Sequence, residues 1–222
     1  MSQYKVVEKF VSINGEGVFA GQLAVFIRFQ GCNLSCSFCD TSWANSDEAP
    51  FTYMTEDQIY EYIKETKIKN VTLTGGEPLL VPDILILLQL LATDLFLRVE
   101  IETNGSIALD SFTGISNSPS FTMDYKLPGS LMESKMLVSN FNLLSKRDTI
   151  KFVVGSIKDL NRAKDIIISY DLTTKCHVYI SPVFGNINLE DIVDYLIANC
   201  LNDVTMQLQM HKVIWDPNKR GV

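Results

Sequence analysis

The chain lacks a long apolar run. Its longest, Ile84 to Ala92, is interrupted by Gln89 and falls short of the roughly 18 residues of a membrane span, so it reads as a buried helix. The first residues carry no secretory pattern, which predicts a cytoplasmic protein whose cysteines stay reduced. An excess of basic charge is missing too. The formal net charge of −7 argues against a broad nucleic-acid surface and favours a small-molecule substrate. No internal repeat, low-complexity tract or interdomain linker is present. Ser111 to Ser120, rich in Ser, Gly and Pro, reads as a long connection. What remains is a 222-residue chain, 46% hydrophobic, enough to build the core of one domain over residues 1–222.

Periodicity predicts strands at Tyr4–Ser12, Leu23–Phe29, Asn70–Thr74, Arg98–Glu102, Phe121–Tyr125, Thr149–Val154, Cys176–Ile180 and Val204–Gln209. Helices are predicted after Thr55, an N-cap leading through Ile59, Tyr62 and Ile63, and at Pro82–Leu91, Asp159–Tyr170 and Leu189–Asn199. Strands alternating with helices imply a mostly parallel sheet, whose functional residues gather at the carboxyl ends of the strands.

Cysteine is scarce, five in all, yet three stand in one loop as Cys32, Cys36 and Cys39, spaced C-x3-C-x2-C. Three thiolates from one short loop can hold a metal centre and leave one position open. The same spacing is compatible with a zinc site completed by a distant ligand, or with a disulfide framework. Zinc sites favour paired C-x2-C units, and only one is present. Disulfides are unexpected without a secretory signal. Cys176 and Cys200 are read as buried free thiols, with His177 facing away from Cys176.

Other motifs follow strands. Thr74-Gly75-Gly76-Glu77-Pro78 offers close backbone approach and a carboxylate acceptor. Glu102 and Asp124 end later strands and suit ribose hydroxyls, and Lys126 suits a carboxylate, although the three could also pair with one another.

With Gly-Gly-Glu-Pro downstream, the cysteine loop resembles that of the radical S-adenosylmethionine (SAM) superfamily. Ser12–Gly17, Phe26–Leu34, Cys39-Asp40-Thr41, Gln207–Lys212, Trp215 and Lys219–Val222 narrow the resemblance to its 7-carboxy-7-deazaguanine synthase family. The resemblance implies an α/β fold, an open, incomplete (β/α)6 barrel with mostly parallel strands. It implies a [4Fe–4S] cluster on Cys32, Cys36 and Cys39, with SAM held by Phe38, Thr74, Gly75, Gly76, Glu77, Glu102, Asp124, Lys126 and Ser181. It implies 6-carboxy-5,6,7,8-tetrahydropterin as substrate, bound by Ile13, Asn14, Gly15, Glu16, Arg28, His211 and the Val222 carboxylate. Mg²⁺ is expected on the Thr41 hydroxyl with Asp40 behind it, although both side chains could simply close the loop. Hydrogen abstraction at C6, ring contraction and ammonia loss would give the 7-deazapurine, in queuosine-type biosynthesis. A flavodoxin or ferredoxin electron donor and a homodimer follow from the same resemblance. Two rival readings are a glycyl-radical activase, which would lack the pterin-directed ends, and a non-catalytic iron–sulfur or zinc module, which needs a fourth protein ligand.

Overall fold

The computed structural model describes residues 2–222. Its strands are β1 (Tyr4–Ile13), β2 (Leu23–Phe29), β3 (Thr52–Met54), β4 (Asn70–Gly75), β5 (Arg98–Thr103), β6 (Ser120–Tyr125), β7 (Thr149–Val154), β8 (His177–Pro182) and β9 (Val204–Met206). Helices are α1 (Ser42–Asn45), α2 (Glu56–Thr66), α3 (Ile84–Ala92), α4 (Asp110–Thr113), α5 (Ile157–Ser169), α6 (Leu172–Lys175), α7 (Leu189–Ala198) and α8 (Met210–Ile214). All strands form one sheet in the order β3-β1-β2-β4-β5-β6-β7-β8-β9. β1 is antiparallel to β2 and β3, and every pairing from β2 to β9 is parallel. The sheet stays open, with three-residue strands at both edges that offer little backbone for stray pairing.

Local chemistry explains the helices. Thr55 and Gln58 close a capping box at the start of α2, which ends at Lys67 in the left-handed conformation. Ser156 caps α5 by accepting from the Asp159 N–H, and Leu160, Ala163, Ile166 and Ile167 give it one buried face. In α3, Ile84, Leu87, Leu88 and Leu91 pack into the same core as α2 and the sheet.

Alternation along each strand divides the chemistry. Ile101, Met123, Tyr125, Ile150, Phe152 and Val154 join the helix-covered core. Glu100, Glu102, Thr122, Asp124 and Lys151 occupy the intervening positions on the other face, where all but Glu100 line a cavity. Parallel register sets Asp124 beside Lys151 and Glu102 beside Thr122.

Besides β3, α1, α6 and α8, which the sequence did not lead one to expect, four features depart from the sequence expectations. The helix expected from Pro82 begins at Ile84, because Asp83 takes a left-handed φ of 59° and breaks the entry. The last strand stops at Met206. The Gln207 side chain instead bonds both backbone groups of Gly17, and Met210 N–H donates to the Gly15 carbonyl, so the chain turns along that loop into α8. Cys200 is exposed rather than buried, in a left-handed turn just after α7, whereas Cys176 is buried and His177 exposed. The stretch 111–120 contains most of α4 and the first residue of β6.

Candidate active site

The carboxyl ends of the parallel strands open into a cavity of about 610 Å³. Cys32, Cys36 and Cys39 share its wall with Phe38 and Thr41. Cys32 Sγ accepts from Leu34 N–H at 3.4 Å and Asn104 Nδ2 at 3.5 Å, and Cys39 Sγ accepts from Asn45 Nδ2 at 3.8 Å. Burial pushes the Cys32 and Cys36 thiols up, and neighbouring cysteines add to it, while Lys126 opposes the rise at Cys36. Three thiols on one cavity wall, two of them facing amide donors, fit an iron–sulfur cluster bound as thiolates. Among the described residues no three His, Cys, Asp or Glu side chains converge on a single-ion geometry.

The glycine turn after β4 packs backbone against backbone. A Cβ on Gly76 would overlap the Gly31 carbonyl oxygen at the head of the cysteine loop, so only glycine fits. Thr74, Gly75 and Gly76 face the cavity. Glu77 does not. Its fully buried carboxylate accepts from Leu79 N–H at 3.0 Å, Thr103 Oγ1 at 2.9 Å and Asn104 N–H at 2.6 Å. In this structure the side chain expected to face a ligand turns to the protein and holds the turn to the end of β5.

A chain of buried charges runs across the site. Lys151 Nζ lies 3.1 Å from Glu16 and 3.2 Å from Asp124, and Lys126 lies 2.8 Å from Asp124. Burial alone would raise the Glu16 carboxyl, but Lys151 with Gln209 and Ser181 hydrogen bonds holds it below its ordinary range. Burial pulls Lys151 down, yet Asp124, Glu16 and Glu102 carry it well above the usual lysine value. Glu102 accepts from Thr74 Oγ1 at 2.6 Å, and burial raises its carboxyl. Arg28 faces the cavity and pairs with Glu8 at 3.0 Å.

The loop before β2 delivers Glu16, whose carboxylate accepts from Ser181 Oγ at 2.8 Å and Gln209 Nε2 at 3.1 Å. Ser181, expected in the SAM wall, is fully buried and donates to the Glu16 carboxylate. Asn14, expected against the substrate, turns its side chain inside the fold, where it accepts from Thr72 Oγ1 at 3.0 Å. Ile13, Gly15, His211 and Val222 do line it. A Cβ on Gly15 would overlap His211 Nδ1, so the glycine makes room for that ring. Burial holds the His211 imidazole below its ordinary value. Asp40 pairs with Lys212 at 3.1 Å, and Thr41 Oγ1 sits 3.7 Å from Cys39 Sγ.

Sequence reasoning gave no site role to Lys151, Glu8, Gln209 and Lys212, although the last two lie in the family-like segment Gln207–Lys212. A usable signal existed for Lys151, a single cation inside the apolar run Thr-Ile-Lys-Phe-Val-Val. The other three become visible only when distant segments meet.

The sequence profile of the Radical SAM superfamily matches residues 26–113. A 7-carboxy-7-deazaguanine synthase of Clostridium acetobutylicum is 64% identical over 219 residues, covering 99% of each chain. The chain belongs to the 7-carboxy-7-deazaguanine synthase family. Members from Methanospirillum hungatei and Bacillus subtilis are 37% and 30% identical, covering 97% and 95% of this chain and 87% and 95% of theirs. The crystal structure of QueE from Escherichia coli superposes with a TM-score of 0.73 at 23% identity, over 94% of this chain and 95% of that one, and shows that the fold is shared. Family membership implies a [4Fe–4S] cluster and SAM, and the cysteine wall is where the residues fit them.

Proposed function

We propose that this chain converts 6-carboxy-5,6,7,8-tetrahydropterin to 7-carboxy-7-deazaguanine, in the queuosine-type pathway, by radical SAM chemistry. The observation that carries the reading is one cavity that joins the three cysteine sulfurs to the Glu16–Lys151–Asp124 charge chain. When bound, the cluster and SAM supply the one-electron chemistry that removes a hydrogen atom from C6. Cys32, Cys36 and Cys39 hold the cluster. Phe38, Thr74, Gly75, Gly76, Glu102, Asp124 and Lys126 form the SAM wall, where Lys126 offers a cation for the SAM carboxylate and Glu102 an acceptor for hydroxyls.

Ile13, Gly15, Glu16, Arg28, His211 and Val222 form the pterin wall. Glu16, kept ionised by Lys151, accepts from the amino and ring N–H groups. Arg28 presents a planar fork to carboxylate or carbonyl oxygen. His211, favoured neutral by burial, can accept or donate one proton at an imidazole nitrogen. Thr41 Oγ1 is the Mg²⁺ ligand in this reading; Asp40, already paired to Lys212, steadies the loop behind it. Glu77, Asn14 and Ser181 act from behind the wall by fixing the turn and the Glu16 loop. The reductant is flavodoxin or ferredoxin, the assembly a homodimer and the compartment the cytoplasm. In the structure itself no helix of the described residues is long and apolar enough to cross a membrane.

The test is anaerobic reconstitution, then incubation with SAM, reductant and the carboxypterin. Mass spectrometry should find 7-carboxy-7-deazaguanine and ammonia. SAM cleavage without deazapurine would keep the superfamily and reject the substrate.

A further inference from the structure

After α8 the chain runs along the cavity, and Pro217 to Val222 all line it. Among the described residues, no hydrogen bond or ion pair joins Asp216–Val222 to the rest of the molecule. The hydrogen bonds this segment makes are internal, Lys219 N–H to the Asp216 carbonyl and Asn218 N–H to Asp216 Oδ1, both 2.9 Å. The polar contact that crosses is a stack: Arg220 Cζ lies 4.0 Å from the centroid of the Trp43 ring.

Trp43 stands on α1, two residues after Thr41 and four after Cys39, and is half-buried at the cavity edge. Indole is the best aromatic partner for a cation, and arginine is the cation most often found over it. Just past the stack, Gly221 turns with φ of 71°, and a Cβ there would come 3.7 Å from Glu8 Oε1, on the carboxylate that pairs with Arg28. The stack therefore sets where residues 221 and 222 meet the Arg28 corner. A segment without backbone anchors is ordered only as well as its side-chain contacts order it.

We propose that Arg220 and Trp43 are positioning residues that hold Asp216–Val222 as one wall of the pterin site and fasten that wall to the cluster loop. The inference rests on the pterin reading given above. It also separates Arg220 from a direct substrate ligand, because removing either partner of the stack must have the same effect.

The first measurement needs no cofactor. In a Trp215→Phe background, Trp43 is the remaining indole, and Arg220→Ala should make its fluorescence more accessible to acrylamide. Arg220→Lys, which keeps a cation over the ring, should restore most of the protection. The second measurement uses reconstituted enzyme. Arg220→Ala and Trp43→Leu should each raise the KM for the carboxypterin by about two- to thirtyfold, with kcat at saturating pterin largely retained. A KM raised by Arg220→Ala but not by Trp43→Leu, in a variant folded by circular dichroism, makes Arg220 a direct ligand and overturns the proposal. Unchanged quenching in Arg220→Ala overturns it as well, as does changed quenching with unchanged KM. If wild type shows the Arg220-dependent protection but makes no deazapurine, the substrate assignment fails while the stack itself stands, so the two failures are distinct.

Discussion

The two faces of strands β5 to β7 were built from neighbouring residues and do opposite things. Outward, Ile101, Met123, Ile150 and Phe152 are buried against helices and contribute stability without polar groups. Inward, Glu100, Glu102, Asp124 and Lys151 are also largely buried, but each needs a partner to be tolerated. Burial is therefore a poor guide to role in this sheet. The outer face is stable because its atoms are alike, and the inner face holds together because its lysines are shared among its acids. Glu16, Glu100, Glu102 and Asp124 outnumber Lys126 and Lys151, so acid is in surplus. Glu100, beside Thr122 with Glu102 and Glu16 near, is pushed by burial to a pKa of about 7.

The largest effect tests the inner face at its metal end. Cys32→Ala, Cys36→Ala or Cys39→Ala should abolish both cluster absorbance and reductive SAM cleavage, whereas Cys176→Ala should keep both. A cysteine variant that still cleaves SAM would remove that residue from the ligand set.

Next, the two faces can be broken in parallel. Phe152→Ala should lower unfolding stability by about 3–5 kcal/mol, nearly independent of pH. Lys151→Met should cost about 3–5 kcal/mol near pH 8, because Glu16 is left buried without a cation while Asp124 keeps only Lys126. Without Lys151, burial raises the folded pKa of Glu16 above its unfolded value. The penalty is then full above the folded value and vanishes below the unfolded one, so stability should recover as pH falls. Denaturant melts at pH 5 and pH 8 decide this: an equal loss at both pH values would mean that Lys151 acts by packing.

Arg28→Ala should weaken pterin binding by about ten- to a hundredfold through loss of a charge-assisted contact. Unchanged affinity by calorimetry would take Arg28 out of the pterin wall.

Glu100→Gln should be a smaller change of the opposite sign. A carboxyl whose folded pKa is raised costs stability increasingly from the unfolded value of about 4.5 up to about 7, and the cost is constant above that. Glu100→Gln should therefore gain on wild type between pH 5 and pH 8, by on the order of 2 kcal/mol. A flat difference would show that Glu100 is ionised in the folded protein throughout.

The finest test is at Thr41. Thr41→Val should shift the Mg²⁺ activation curve to higher concentration, and Thr41→Ser should not. Identical curves for all three proteins would leave Thr41 as a loop-closing residue.

Much of this architecture is written locally. The β-rich run Leu23–Phe29, the Thr55 cap, the apolar stripe of α5 and the C-x3-C-x2-C spacing each act over a few residues, so composition and periodicity are enough to read them. The cysteine loop and the glycine turn were legible for the same reason, since both meet the cavity through backbone geometry encoded by glycine and spacing. The side-chain partners of Glu77, Asn14 and Ser181 were not legible, because a strand end or turn fixes where a residue stands but not which neighbour claims its polar atoms. Thr103 and Asn104 claim Glu77, Thr72 claims Asn14, and Glu16 claims Ser181. Only the tertiary fold could bring Lys151 between Glu16 and Asp124, or Arg220 onto Trp43 from 177 residues away. The sequence by itself determined most strands, the longer helices, the three-cysteine spacing and the family. The tertiary structure decided which buried charges neutralise one another, because that depends on distance through space, and distance along the chain does not record it.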